Sequence, residues 1–182
     1  MIVYIIIGIV ILLALYGISA YNSFVTLRNR VRNAWAQIDV QLKNRADLIP
    51  NLVETVKGYA GHEKETLDQI VKARSSVLNA NTPQESMEAN DMLSQALNRL
   101  MVVVEAYPEL KANTNFLGLQ ENLRDIEDKI RYSRQFYNDT VLKYNTKIET
   151  FPNNIFAAMF GFKEEAFFKV DERDRDVPRV QF

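Results

Sequence analysis

The chain contains no cysteine. A disulfide framework, a thiolate zinc site and cysteine-nucleophile chemistry are therefore excluded. Histidine occurs once, at His62. Di-metal carboxylate bundles need Glu-x-x-His on two helices, and two-histidine zinc motifs need a second imidazole, so both lack their ligands. Next to Glu63 at a Gly-bounded corner, His62 reads as a helix start. Glycine and proline are sparse, at 6 and 5 in 182 residues, as expected of a mostly helical chain. No Gly-rich phosphate loop and no Gly-x-Ser-x-Gly elbow is present. Charge of one sign is missing as well: 22 basic and 23 acidic side chains leave a net charge of −1, which argues against a nucleic-acid binder. Neither the alternation of a sheet nor an internal repeat is seen. No cofactor and no metal is called for, and no enzymatic activity is expected.

What is present is apolar and periodic. Hydrophobic residues make up 47% of the chain and charged residues 25%, enough for a core even with an anchor set aside. Ile2–Ala20 carries no charge. At about 1.5 Å per residue it covers about 29 Å, close to the roughly 30 Å hydrocarbon layer. Tyr4, Tyr16 and Tyr21 fall near its two ends, where an aromatic belt belongs. A cleaved signal peptide with Ile18-Ser19-Ala20 as its site is the alternative to a retained anchor. The run's length and the lack of a preceding Lys or Arg favour the anchor. Arg28, Arg30 and Arg32 follow the run. The positive-inside rule then expects a single-pass protein of the cell membrane, its N-terminus outside and its C-terminal domain cytoplasmic. The competing reading is that these arginines only solvate a helix face.

Directly after the run comes a heptad seam: Tyr21, Phe24, Arg28, Val31, Trp35, Ile38, Leu42, Arg45, Ile49, Leu52, Val56, Tyr59. Apart from the two arginines it is apolar or aromatic, the pattern of one long helix burying one stripe. The phase holds across Pro50, which predicts a kink there and not a turn. The helix is expected to reach about Ala60. A second helix is predicted for about His62–Leu78, with Leu67, Ile70, Val71, Val77 and Leu78 inward. Thr82-Pro83 reads as an N-cap with proline at the first helical position. A third helix follows to about Ala106, with Met92, Leu93, Ala96, Leu97, Leu100, Met101 and Val104 inward. Tyr107-Pro108 breaks it. A fourth, from about Asn113 to Thr150, carries the seam Phe116, Leu119, Leu123, Ile126, Ile130, Ser133, Tyr137, Val141, Tyr144, Ile148. Phe151-Pro152 ends it.

The fold class expected is all-α. An N-terminal transmembrane helix continues into an up-down antiparallel bundle of three to four long helices. Boundaries are expected at 1–21 for the transmembrane anchor, 22–150 for the bundle, 151–168 for a Phe-rich segment and 169–182 for a charged, solvated tail.

Several motifs carry a resemblance. Asn33-Ala-Trp-Ala-Gln-Ile-Asp39, Asp47-Leu-Ile-Pro-Asn-Leu-Val53, Lys57-Gly-Tyr-Ala-Gly-His-Glu63, Tyr107-Pro-Glu-Leu-Lys-Ala112, Phe116-Leu-Gly-Leu-Gln120, Arg134-Gln-Phe-Tyr-Asn138 and Phe151-Pro-Asn-Asn154 resemble the LemA family, in order and over nearly the whole chain. The resemblance implies a bacterial-type single-pass membrane protein with its N-terminus outside and a helical bundle inside. It implies no reaction.

Two groups are candidate sites. Arg28, Arg30 and Arg32 lie beside the membrane and form a possible lipid-headgroup contact, worth about 1 kcal/mol per charge. For Arg28 and Arg45, at core-type positions, the plainer reading is that they snorkel past apolar neighbours or pair with Glu or Asp of another helix. In the Phe-rich segment, Phe151, Ile155, Phe156, Met159, Phe160 and Phe162 form a possible partner or membrane patch. An up-down bundle returns them toward the bilayer. Completion of the core at the bundle's open end is the competing reading.

The expected function is a non-catalytic, membrane-anchored scaffold or adaptor that holds a partner at the inner membrane face. The alternative is an accessory or regulatory subunit of a membrane enzyme such as a protease. Membrane lipid, through the anchor, and a protein partner are the expected contacts. The partner, any ligand and the oligomeric state stay open.

Overall fold

The computed structural model describes residues 1–168, which contain six helices and no strand. The charged tail expected at 169–182 lies outside the described residues. The helices are α1 (Ile2–Ala60), α2 (Lys64–Asn79), α3 (Pro83–Val104), α4 (Pro108–Lys111), α5 (Thr114–Glu149) and α6 (Asn153–Phe160). A long apolar N-terminal helix thus leads into a helical bundle. The four long helices match the sequence expectation. The short α4 and α6 were not foreseen.

Pro50 lies inside α1 without ending it. The seam explains why. Phe24, Val31, Ile38, Leu42, Arg45, Ile49, Leu52 and Val56 are all buried, so burial on both sides of Pro50 keeps one phase. Tyr21 and Tyr59, at the seam's ends, are exposed. Among the described residues α1 is the one helix long and apolar enough to cross a membrane, and only 6% of its apolar window is buried. That exposure is unlike a core helix and supports membrane localisation.

The described residues fall into two compact units. The first joins Met1–Asn33 with the described residues from Phe136 on, and the second is Ala34–Gln135. In the second, α2 and α3 form a hairpin, tied by Arg99 Nη1 donating to Gln69 Oε1 at 2.7 Å. Thr82 caps α3 as expected: Glu85 N–H donates to its Oγ1 at 3.2 Å, and the Glu85 carboxylate accepts from Asn81 N–H at 2.8 Å. Asn113 caps α5 by accepting from Phe116 N–H at 3.0 Å. Val71, Leu78 and Met92 were expected inside and are exposed. The buried stripe of α2 is narrow (Leu67, Ile70, Ala73, Val77), and Val71 and Leu78 stand one step off it.

In the first unit the core holds Phe24 and Val31 of α1 with Tyr137, Val141, Tyr144 and Ile148 of α5. α6 ends in a Schellman turn. Gly161 takes φ 72°, and Phe162 N–H donates to the Ala157 carbonyl at 2.9 Å. A residue with a Cβ pays a steric penalty at that φ. The turn aims residues 162–168 back along α5.

Candidate functional site

The Phe-rich segment divides in two by burial. Phe162 lies in the core, with its ring 5.2 Å from Phe24 and 5.6 Å from Tyr21 in edge-on geometry. Phe162 thus takes the core-completing role, the competing reading of the segment, and not a place in the exposed patch. Two aromatic neighbours on α1 outcompete solvent exposure for so large an apolar ring. Phe156 is half-buried. Phe151, Ile155, Met159 and Phe160 are exposed. On α6, Ile155, Met159 and Phe160 recur at helical spacing and form an apolar row, and Phe151 lies in the turn just before the helix.

α6 packs against the last turns of the apolar run. Tyr16 donates its hydroxyl to Asn153 Oδ1 at 2.9 Å, its ring meets Phe156 at 5.6 Å, and Tyr21 meets Phe160 at 5.2 Å. Gly17 makes room: a Cβ there would stand 2.9 Å from the Phe156 ring. An apolar groove of about 380 Å³ remains between Leu13, Ile18, Met159 and Phe160.

Of the three arginines, Arg30 and Arg32 are exposed. Arg28 is half-buried, its guanidinium 4.9 Å from the Phe162 ring centroid. The structure therefore brings Arg28 to the aromatic core and leaves Arg30 and Arg32 on the surface.

Beyond Gly161 the chain runs extended along α5 as a strap, held through its main chain. Tyr144 donates to the Lys163 carbonyl at 2.9 Å. Asn145 exchanges two bonds with Glu165, donating to its carbonyl at 2.9 Å and accepting from its N–H at 3.0 Å. One heptad earlier on α5 the pattern returns. Tyr137 donates to the Ala166 carbonyl at 2.9 Å, and Asn138 exchanges bonds of 3.0 and 2.7 Å with Phe168. The two repeats match in length, since a heptad of helix rises about 10.5 Å and three extended residues about 10 Å. Burial, reinforced by Glu165, raises both phenols above their ordinary range. The signal was in the sequence: Tyr-Asn occurs at 137–138 and again at 144–145.

In the second unit Arg45 is buried and paired. Its Nη1 donates to Asn90 Oδ1 at 2.8 Å and to Ser94 Oγ at 2.9 Å, and its Nη2 lies 2.9 Å from Glu127 Oε2. Burial lowers its pKa and Glu127 opposes that. Of the two readings the sequence pattern left open for Arg45, snorkelling or pairing, it takes the pairing. His62 is exposed at the corner between α1 and α2. Among the described residues no group of three or more His, Asp or Glu side chains is placed to hold a metal ion.

The sequence model of the LemA family matches residues 34–182. This chain belongs to the LemA family. It is 28% identical over 155 residues to Protein LemA of Metamycoplasma hominis, covering 85% of this chain and 71% of that protein. It is 25% identical over 175 residues to Magnetosome protein MamQ 2 of Paramagnetospirillum magneticum, covering 82% of this chain. It is 24% identical over 174 residues to Magnetosome protein MamQ of Magnetospirillum gryphiswaldense, covering 81% of this chain. The chain spans 64% of the length of each of these two magnetosome relatives. The match to the family takes in α6 and the strap, so both belong to the LemA-like part of the chain.

Proposed function

We propose that this LemA-family chain is a non-catalytic, membrane-anchored scaffold that holds a partner protein at the inner membrane face. One observation carries the reading: α6 packs against Tyr16, Gly17 and Tyr21 of the apolar run and turns an exposed apolar row outward. Cleavage after Ala20 would strip α6 of two of those contacts, which favours a retained anchor. With residues 1–21 as the anchor, 22–150 as the bundle and 151–168 as a foot, α6 lies at the membrane interface. There its row of Ile155, Met159 and Phe160, with Phe151 just before it, is buried in the headgroup boundary or against a partner. Arg30 and Arg32, exposed just past the span, supply the headgroup contact and the cytoplasmic orientation of the bundle.

Crosslinking in intact membranes followed by mass spectrometry tests this. Several soluble cytoplasmic partners are the expected outcome. One dominant integral enzyme would replace the scaffold with an accessory subunit. A reporter enzyme fused to Phe182 tests orientation: activity of an extracytoplasmic reporter alone would reverse it.

A further inference from the structure

The strap is read almost entirely by its main chain. All six of its hydrogen bonds to Tyr137, Asn138, Tyr144 and Asn145 use backbone carbonyls or N–H groups. Of its side chains, Phe162 and Phe168 are buried, while Lys163, Glu164, Ala166 and Phe167 are exposed. A surface that pairs with backbone and takes two aromatic anchors does not distinguish its own strap from another extended chain with the same anchors. Sheets that accept an added strand use the same logic, main-chain bonds for affinity and side-chain pockets for selection. Here the accepting edge is a helix, made periodic by Tyr-Asn pairs one heptad apart.

We propose that the Tyr-Asn ladder of α5 is a peptide-binding site. Its occupant is an extended segment of a partner protein with aromatic residues six positions apart, and the chain's own 162–168 strap covers the site until that segment arrives. This deepens the scaffold reading by giving the partner's chemistry, and its biological meaning rests on that reading. The tethered strap competes at an effective concentration on the order of millimolar, so the site is closed at rest. Gly161, with φ 72° and nothing within 4 Å of an added Cβ, is where the strap swings.

The test uses the full chain in nanodiscs and a fluorescent peptide of sequence FKEEAFF, read by anisotropy. Glu165→Pro removes one strap N–H and leaves the helix face intact. It is expected to tighten peptide binding about tenfold or more over wild type by weakening the competitor. Adding Asn138→Leu and Asn145→Leu is expected to abolish that gain. A peptide with both anchors changed (AKEEAFA) should not bind, and one with its middle shuffled (FEAKEFF) should bind as well as the parent. Overturning results are no binding to a Glu165→Pro chain of wild-type helicity, or equal binding by all three peptides. Dimerisation of wild type that FKEEAFF dissolves would assign the site to a second copy's strap, and would also overturn the proposal. Peptide binding needs no cellular partner, so its failure is separable from a failure of crosslinking.

Discussion

The side chain of Arg74 on α2 donates through Nε to the backbone carbonyl of Ala46 on α1 at 2.9 Å. Ala46 is the residue whose carbonyl would accept from position 50 in an unbroken helix. Pro50 has no N–H to give. Arg74 supplies the missing donor, and α1 continues to Ala60. Leaving a part-buried carbonyl unmet costs about 1–3 kcal/mol, so Arg74→Met is expected to lower stability by about that much. In a Pro50→Ala background the helix makes its own bond, and the cost of Arg74→Met should fall below about 0.5 kcal/mol. Chemical denaturation of the four proteins measures the coupling. Equal costs of Arg74→Met in both backgrounds would show that Arg74 does not compensate for the proline.

Among the ion pairs, Arg45–Glu127 differs from the others in burial. Lys57–Glu54 and Arg131–Asp128 are both exposed neighbours on one helix, whereas the Arg45 side chain is 7% exposed. Exposed pairs contribute little, because water and salt screen them. Removing the partner of a buried guanidinium leaves a charge that water reaches poorly. Glu127→Gln is therefore expected to cost about 1.5–3 kcal/mol. Glu54→Gln and Asp128→Asn should stay within about 0.5 kcal/mol. Thermal melts of the three variants rank them. A similar small loss for all three would mean that Asn90 and Ser94 alone satisfy Arg45.

The long helices were legible because each carries a burial stripe longer than any competing signal. The seam from Phe24 to Val56 sets phase over so many turns that one proline could not reset it. Short elements lack that redundancy. α6 spans Asn153–Phe160, barely two turns, and its apolar residues read equally as core or as surface patch. Only the packing of Phe162 under Tyr21 and Phe24 divides the segment into a buried anchor and an exposed row. Arg28 is a similar case. Its position in the seam was visible, but its ring partner lies far along the sequence. The ladder was hidden for a different reason. Tyr137 and Tyr144 fit the α5 stripe as hydrophobic residues, so their hydroxyls were not needed to explain the helix.

Gly17 is predicted to control the docking of α6. An added Cβ would approach the Phe156 ring to 2.9 Å, while at Gly8 it would meet nothing within 4 Å. Gly17→Ala should be absorbed by a small shift of the ring, but Gly17→Leu should push α6 off the span. Both substitutions keep the run apolar, so insertion is unaffected. The chain has no cysteine of its own, which permits a clean assay. With cysteines in place of Leu13 and Met159, which face each other across the groove, a short bis-maleimide should crosslink the parent and the Gly8→Leu chain efficiently. Crosslinking of the Gly17→Leu chain should drop several-fold. Unchanged crosslinking would show that α6 is not seated by this contact.

The strap should open on the alkaline side, and the direction follows from its two phenols. Burial raises Tyr137 and Tyr144, with Glu165 adding to both. Each folded-state pKa thus lies above the unfolded value of about 10. A raised pKa contributes stability that is whole below the unfolded value and is lost as pH rises through the folded one. Deprotonation also removes the hydroxyl proton that each tyrosine donates to a strap carbonyl. A dye on a cysteine introduced at Ala166 should therefore stay immobile through neutral pH and gain mobility above about pH 10. That gain should coincide with a phenol ionisation, read by ultraviolet absorbance, that is missing when Tyr137 and Tyr144 are replaced by Phe. With Tyr137→Phe and Tyr144→Phe together, the dye should already be mobile at pH 7, and the alkaline step should vanish. A dye that is released at the same alkaline pH in the double variant would show that other groups govern the opening.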